Sequence, residues 1–257
     1  MKRLKAIVKI SAMLGIIVMM CIAIVKMQSR VCLDIEIKTP DKTMVSCVSP
    51  EEIRQKLAKE KLHVEGLNYK EIQAKWEQLL PVIKSHPYIA SCDNFYFSGN
   101  KLVLEITPRS PLLHVYDETG EQYFLDRSGI LLPYSPLVKE NLIVALGHIA
   151  KQQEQLLTNA GDDSNSVLYV LRSIALAIEE DPFYAAQFRQ IYVNSQGETE
   201  LIPTIGVPKI LFGNDENVAE KLALLKIIYT KAFPYTDMDK YAWLDVRFKN
   251  RIIAKKK

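Results

Sequence analysis

Histidine is scarce in this chain: His63, His86, His114 and His148 stand far apart in 257 residues, with none of the spacings that zinc ligands require. No glycine-rich loop is present to cradle a phosphate, and no strand–turn–helix elbow presents a nucleophilic serine. The net charge is only +3, too little to argue for nucleic acid, and much of that excess sits at the two ends. No stretch repeats another. These absences leave no candidate catalytic residue, no cofactor and no metal site, so the chain reads as a non-enzyme. Asp126 has the chemistry of a catalytic acid, but beside Ser128 and Gly129 it reads better as a turn residue accepting backbone N–H bonds.

What is present begins with a basic start. Lys2, Arg3, Lys5 and Lys9 carry four positive charges without an acid, and the sixteen residues Ile10–Val25 carry no charge at all before Lys26. Sixteen helical residues reach roughly 24 Å. Ile7 and Val8 extend that reach while Lys9 and Lys26 snorkel, which approaches the ~30 Å of a hydrocarbon core. A cleaved signal peptide is the competing reading, but no small-x-small site follows the run, and Met stands where a lipoprotein box before Cys21 needs a small residue. The expectation is an uncleaved transmembrane helix over 10–26, a cytoplasmic segment at 1–9, and the remaining chain outside the inner membrane by the positive-inside rule. Cys32, Cys47 and Cys92 then lie outside. Cys32 and Cys47 flank the turn "TPDK" and could bridge a hairpin, or all three could be small buried apolar residues.

Periodicity divides the rest into two modules. "LDIEIK" alternates as a half-buried strand. "SPEEIRQKLAKE" has Ser49 as N-cap, Pro50 at the first helical position and Glu52 placed to complete a capping box. A second helix starts at Asn68, with Ile72, Trp76, Leu79 and Ile83 inward, a kink or break at Pro81, and its end at His86-Pro87. Two strands joined by "SGN" close a strand-helix-helix-strand-strand module over 31–108. From Arg109 come short strands, a polar insertion at 152–166, a helix in "VLYVLRSIALAI", three more strands, and an amphipathic helix capped by Asn214 or Asp215. "YAWLDVRFKNRII" alternates as a last strand. It puts Leu244, Val246 and Phe248 on one face and Trp243, Asp245, Arg247 and Lys249 on the other, with a basic tail at 251–257. The fold class is therefore α+β.

Four strings, "HPYI…SGNKLVLEITPRSP", "YFLDRSGILLP", "DPFYAAQFRQIYV…ELIPTIGVPKILFG" and "WLDVRF", together resemble the FtsQ/DivIB family of single-pass bacterial cell-division proteins, over nearly the whole chain. The resemblance implies a POTRA-like module over 31–108 and a β domain with packed helices over 109–250. It implies a non-enzymatic divisome scaffold in the inner membrane at the septum. It further implies FtsB-like and FtsL-like coiled-coil partners, received by β-strand addition at the C-terminal strand region. An edge strand carries unpaired N–H and C=O groups, so Trp243, Asp245, Arg247 and Lys249 become the candidate partner-binding residues. Two other functions compete with it: a POTRA-type polypeptide-binding or chaperone module, against which a single unit on an anchor argues, and a membrane-anchored envelope enzyme, for which no polar cluster stands ready.

Overall fold

In a computed structural model the chain is described over residues 13–25, 30–40, 47–138, 141–150, 166–205, 208–233 and 237–257. It divides into two compact units, Met1–Pro108 and Arg109–Lys257. Ahead of the first sheet, helix α1 covers 13–25 with every side chain exposed. Among the described residues no helix is long and apolar enough to cross a membrane. Residues 1–12 and 26, which complete the expected anchor and its cytoplasmic flank, lie outside the described residues, as do residues 152–165 of the insertion expected at 152–166.

The first unit runs β1 (Asp34–Lys38), α2 (Pro50–Lys59), α3 (Tyr69–Lys84), β2 (Ile89–Ser98) and β3 (Lys101–Pro108). Its sheet order is β1-β3-β2. β2 and β3 form a hairpin closed at Gly99, whose φ of +65° suits the tight turn. β1 pairs parallel with β3, so the chain must cross over between them, and α2 and α3 lie on that path. Ile53, Leu57, Ile72, Leu79 and Ile83 of the helices are buried, as are Ile35, Leu102, Leu104 and Ile106 of the sheet.

Local chemistry departs from the sequence pattern in instructive ways. The Ser49 hydroxyl accepts from Glu51 N at 3.1 Å. Glu52, however, does not turn back on the N-cap: its carboxylate meets Nε2 of buried His86 at 2.9 Å. Because His86 Nδ1 accepts from Tyr88 N, Nε2 is the donor to Glu52. One acid thus joins the first turn of α2 to the end of α3. The capping box forms on α3 instead, between Asn68 and Glu71. Pro81 does not break α3, which continues one further turn to Lys84. Trp76 is only half-buried, its ring 4.5 Å from that of Phe95. Cys32, Cys47 and Cys92 are buried and none is in a disulfide, so the hairpin bridge is not formed. Burial pushes the Cys92 thiol up to about 11 and also raises Cys32.

The second unit contains β4 (Pro111–Tyr116), β5 (Gln122–Asp126), β6 (Leu131–Pro133), β7 (Ile143–Gly147), α4 (Val167–Glu179), α5 (Pro182–Gln187), β8 (Phe188–Val193), β9 (Thr199–Pro203), β10 (Lys209–Gly213), α6 (Val218–Ile227), β11 (Tyr241–Asp245) and β12 (Ile253–Lys256). They build one nine-stranded sheet, β12-β11-β10-β9-β8-β7-β4-β5-β6. Alternate residues such as Leu113, Val115, Ala145, Ile191, Val193, Leu201, Ile210 and Leu244 share one core with Leu171, Ile174, Ile178, Leu222 and Leu225 of the helices. The other face carries the register rows His114–Val144–Gln190–Ile202 and Lys209–Trp243–Lys255.

Two helix starts were not legible in the pattern. α5 is capped by Asp181 and continues into β8. α6 begins at Val218 rather than beside Asn214, because Asn217 adopts a left-handed φ of +55° and makes no side-chain cap. Asn214 instead accepts the amine of buried Lys221 on its carbonyl at 3.0 Å.

Two outcomes follow. Gly147 has φ +113°, and a Cβ there would lie 2.2 Å from Val193 O, so Gly147→Ala should destabilise the β7–β8 pairing by about 3 kcal/mol in a denaturant melt. A thiol reagent should reach Cys32, Cys47 and Cys92 only after denaturation, since all three thiols are buried; prompt reaction in the native chain would contradict this packing.

Candidate functional site

Among the described residues no group of three His, Cys, Asp or Glu side chains is placed to hold a metal ion. His63 and His148 are exposed, and His86 is the buried partner of Glu52. His114 lies among the rings of Tyr116, Phe124 and Tyr134, where burial lowers its pKa despite a 3.1 Å hydrogen bond with Gln122. Asp126 is a buried turn residue: its Oδ1 accepts from Ser128 N and Ile130 N at 2.8 Å, and Oδ2 pairs with Arg109 at 3.2 Å. Asp162 and Asp163 fall outside the described residues.

The feature left for function is the C-terminal border of the large sheet. β10 and β11 are parallel, so α6 carries the chain between them. After β11 the chain turns through Phe248–Arg251, with Asn250 at φ +58°, and returns antiparallel as β12. Apolar Ile252 packs toward the core and Ile253 pairs with Asp245, which makes the segment a strand where its lysines read as a solvated tail. The backbone of Lys257 donates to Lys240 O at 2.9 Å, so the last residue is tied to the start of β11.

This return overturns the expectation that "YAWLDVRFKN" is the edge. β11 ends at Asp245 and has a neighbour on each side; β12 is the edge strand, with all four residues exposed. The opposite border is the three-residue β6, ending at Pro133, whose ring leaves no N–H to donate. One border is thus proline-blunted, and the other has no further strand paired to it among the described residues.

The four candidate residues fall into different roles. Trp243 is half-buried on the face away from the helices, with the Lys255 amine 6.0 Å from its ring. Lys249 is exposed in the turn. Asp245 does not face outward: it is 3% exposed. Arg247 is spent on it, donating from Nε to Oδ1 at 2.9 Å and from Nη2 to Oδ2 at 2.7 Å, with Nη1 on Glu198 at 2.7 Å. The period-two reading fails there because the strand has already ended, and Arg247 folds back along its own chain. Burial alone would raise the Asp245 pKa, but the hydrogen bonds and charge of Arg247 outweigh it and hold the carboxyl below its ordinary value. Gly213 makes room for this fork: at φ +85°, an added Cβ would lie 3.0 Å from Arg247 Cγ.

What the sequence pattern missed is β12 itself. The usable signal was Asn250 between two apolar runs, a turn followed by "RIIA".

Residues 110–255 match the model of a family described as FtsQ/DivIB, C-terminal related. No curated protein matches the chain.

Arg247→Ala should therefore cost stability, about 2 kcal/mol in a melt, since it leaves Asp245 buried without its partner; partial exposure of Arg247 keeps the figure below that of a fully buried pair. With a depressed native pKa, the Asp245 contribution is complete above the ordinary aspartate range and is lost as pH falls through the native value. Asp245→Asn should flatten that acid limb.

Proposed function

The chain belongs to the FtsQ/DivIB C-terminal-related family of cell-division proteins, and on that premise we propose that it is a non-enzymatic divisome scaffold whose second unit receives a partner strand on β12. The observation that carries this reading is the unpaired border formed by β12, which the family match reaches at residue 255. Unpaired main-chain groups supply affinity to an incoming strand, and alternate side chains supply choice. FtsB-like and FtsL-like coiled-coil proteins are the partners that the family resemblance implies. In this arrangement Trp243 and Lys249 flank the added strand, while Asp245 and Arg247 hold the β11–β12 turn in shape.

The N-terminal run Ile10–Val25 serves as a single membrane anchor, with the basic residues before it in the cytoplasm and both units outside. The first unit, with its β-α-α-β-β order, acts as a POTRA-like module. A second reading draws on β2, which lies at a border of the small sheet beside Tyr69, Trp76 and Phe95. There an extended polypeptide could add in the same manner, as in a chaperone-type module.

A fluorescent fusion should concentrate at midcell, and protease added to spheroplasts should digest both units; a protected C-terminus would exclude this topology. Trp243→Ala should weaken capture of an FtsB-like partner by about 30-fold, near 2 kcal/mol, with little change in melting temperature. Leu244→Asp, at a position 2% exposed, should unfold the second unit and serves as the structural control. If Trp243→Ala binds normally and Lys255→Pro does too, the contact lies away from β12.

A further inference from the structure

Ion pairing in the second unit is uneven. Arg109 pairs with Asp126, Arg127 with Glu179, Lys209 with Glu200, Lys226 with Asp181, and Arg247 with Asp245 and Glu198. The last nine residues, 249–257, hold five cations and no acid. Among the described residues no salt bridge is made by Lys249, Arg251, Lys255, Lys256 or Lys257; Arg251 and Lys255 lie instead over the rings of Phe248 and Trp243. Arg189, Lys221, Lys231 and Lys240 likewise make no salt bridge among the described residues, but on and beside β12 five such cations fall within nine residues that hold no acid.

From this we infer, resting on the reading of β12 as the receiving edge, that the segment it receives is an acidic strand. It carries carboxylates where it faces Lys255 and Lys256, and small or apolar residues where it faces Ile253 and Ala254. Ile253 and Lys255 stand on the Trp243 side of the sheet, opposite Asp245 and Trp243 in register, and Ala254 stands on the Leu244 side. Opposite charges on directly facing residues stabilise an antiparallel or parallel addition, and like charges oppose it. The same lysines therefore disfavour pairing with a second copy of β12, and they bias the edge toward a partner of other sequence. A single-sign border also steers the approach of an acidic segment, an effect that weakens with salt.

The test uses the full chain in detergent micelles and four fluorescein-labelled ten-residue peptides: a Val-Glu peptide in which pairs of valines alternate with pairs of glutamates, its Val-Gln and Val-Lys counterparts, and the Val-Glu peptide with alternate N-methylated amides. Anisotropy should show Val-Glu binding at least about tenfold more tightly than Val-Gln, Val-Lys weaker still, and the N-methylated form not at all. Raising salt from 50 to 500 mM should weaken the Val-Glu complex several-fold. The double variant Lys255→Glu, Lys256→Glu should reverse the order of Val-Glu and Val-Lys. If Val-Gln binds as tightly as Val-Glu and N-methylation still abolishes binding, the edge reading stands and the acidic partner is wrong. If the N-methylated Val-Glu peptide binds like its parent, charge alone holds it and strand addition itself is wrong. Absence of binding by all four overturns both.

Discussion

Parallel strands cannot be joined by a tight turn, and that constraint shapes both units. In the first, β1 and β3 are parallel, so two helices and a strand must intervene, and α2 and α3 cover the sheet as a result. In the second, β7–β8 and β10–β11 are parallel, and their connections carry α4, α5 and α6. Those helices bury Leu171, Ile174, Ile178, Leu222 and Leu225 against one side of the nine-stranded sheet. The partly polar row on the opposite side, and the two borders of the sheet, are where recognition can take place.

The borders differ in chemistry. β6 is short and ends in proline, one of the means by which folded proteins stop further pairing. β12 is longer, extended and lysine-bearing, and nothing in its backbone prevents another strand from joining. It holds its place through a set of small devices: the Arg247–Asp245 fork, the glycine at 213 that makes room for it, and the left-handed Asn250 that turns the chain. Each acts on the turn between β11 and β12. The residues that most resemble binding groups in the sequence, Asp245 and Arg247, thus shape the site, and the backbone beyond them offers the contact.

His86 and Glu52 show the same economy in the first unit. A glutamate suited to a local capping box instead reaches a buried histidine 34 positions away, joining the start of one helix to the end of the next. Local pattern identified the helix correctly but misassigned the acid, because a buried imidazole donor is a stronger claim on a carboxylate than a cap N–H that water can satisfy.

The sequence alone determined the elements whose signals are local. Period-two alternation marked β1, the SGN turn marked the β2–β3 hairpin, helical spacing marked α2, α3 and α4, and the turn chemistry of Asp126 was legible beside Ser128 and Gly129. The α+β class and the family resemblance followed from the order of those elements. Only the tertiary structure decided where the sheet ends, that two lysines belong to a strand, and that Arg247 is engaged by Asp245 and Glu198. Those outcomes depend on which strands become neighbours: Ile252 and Ile253 find a place only once β11 has been set against β10 by the α6 crossover. A lysine run carries no local sign of a neighbour supplied from a strand whose position is set by residues some forty places earlier in the chain.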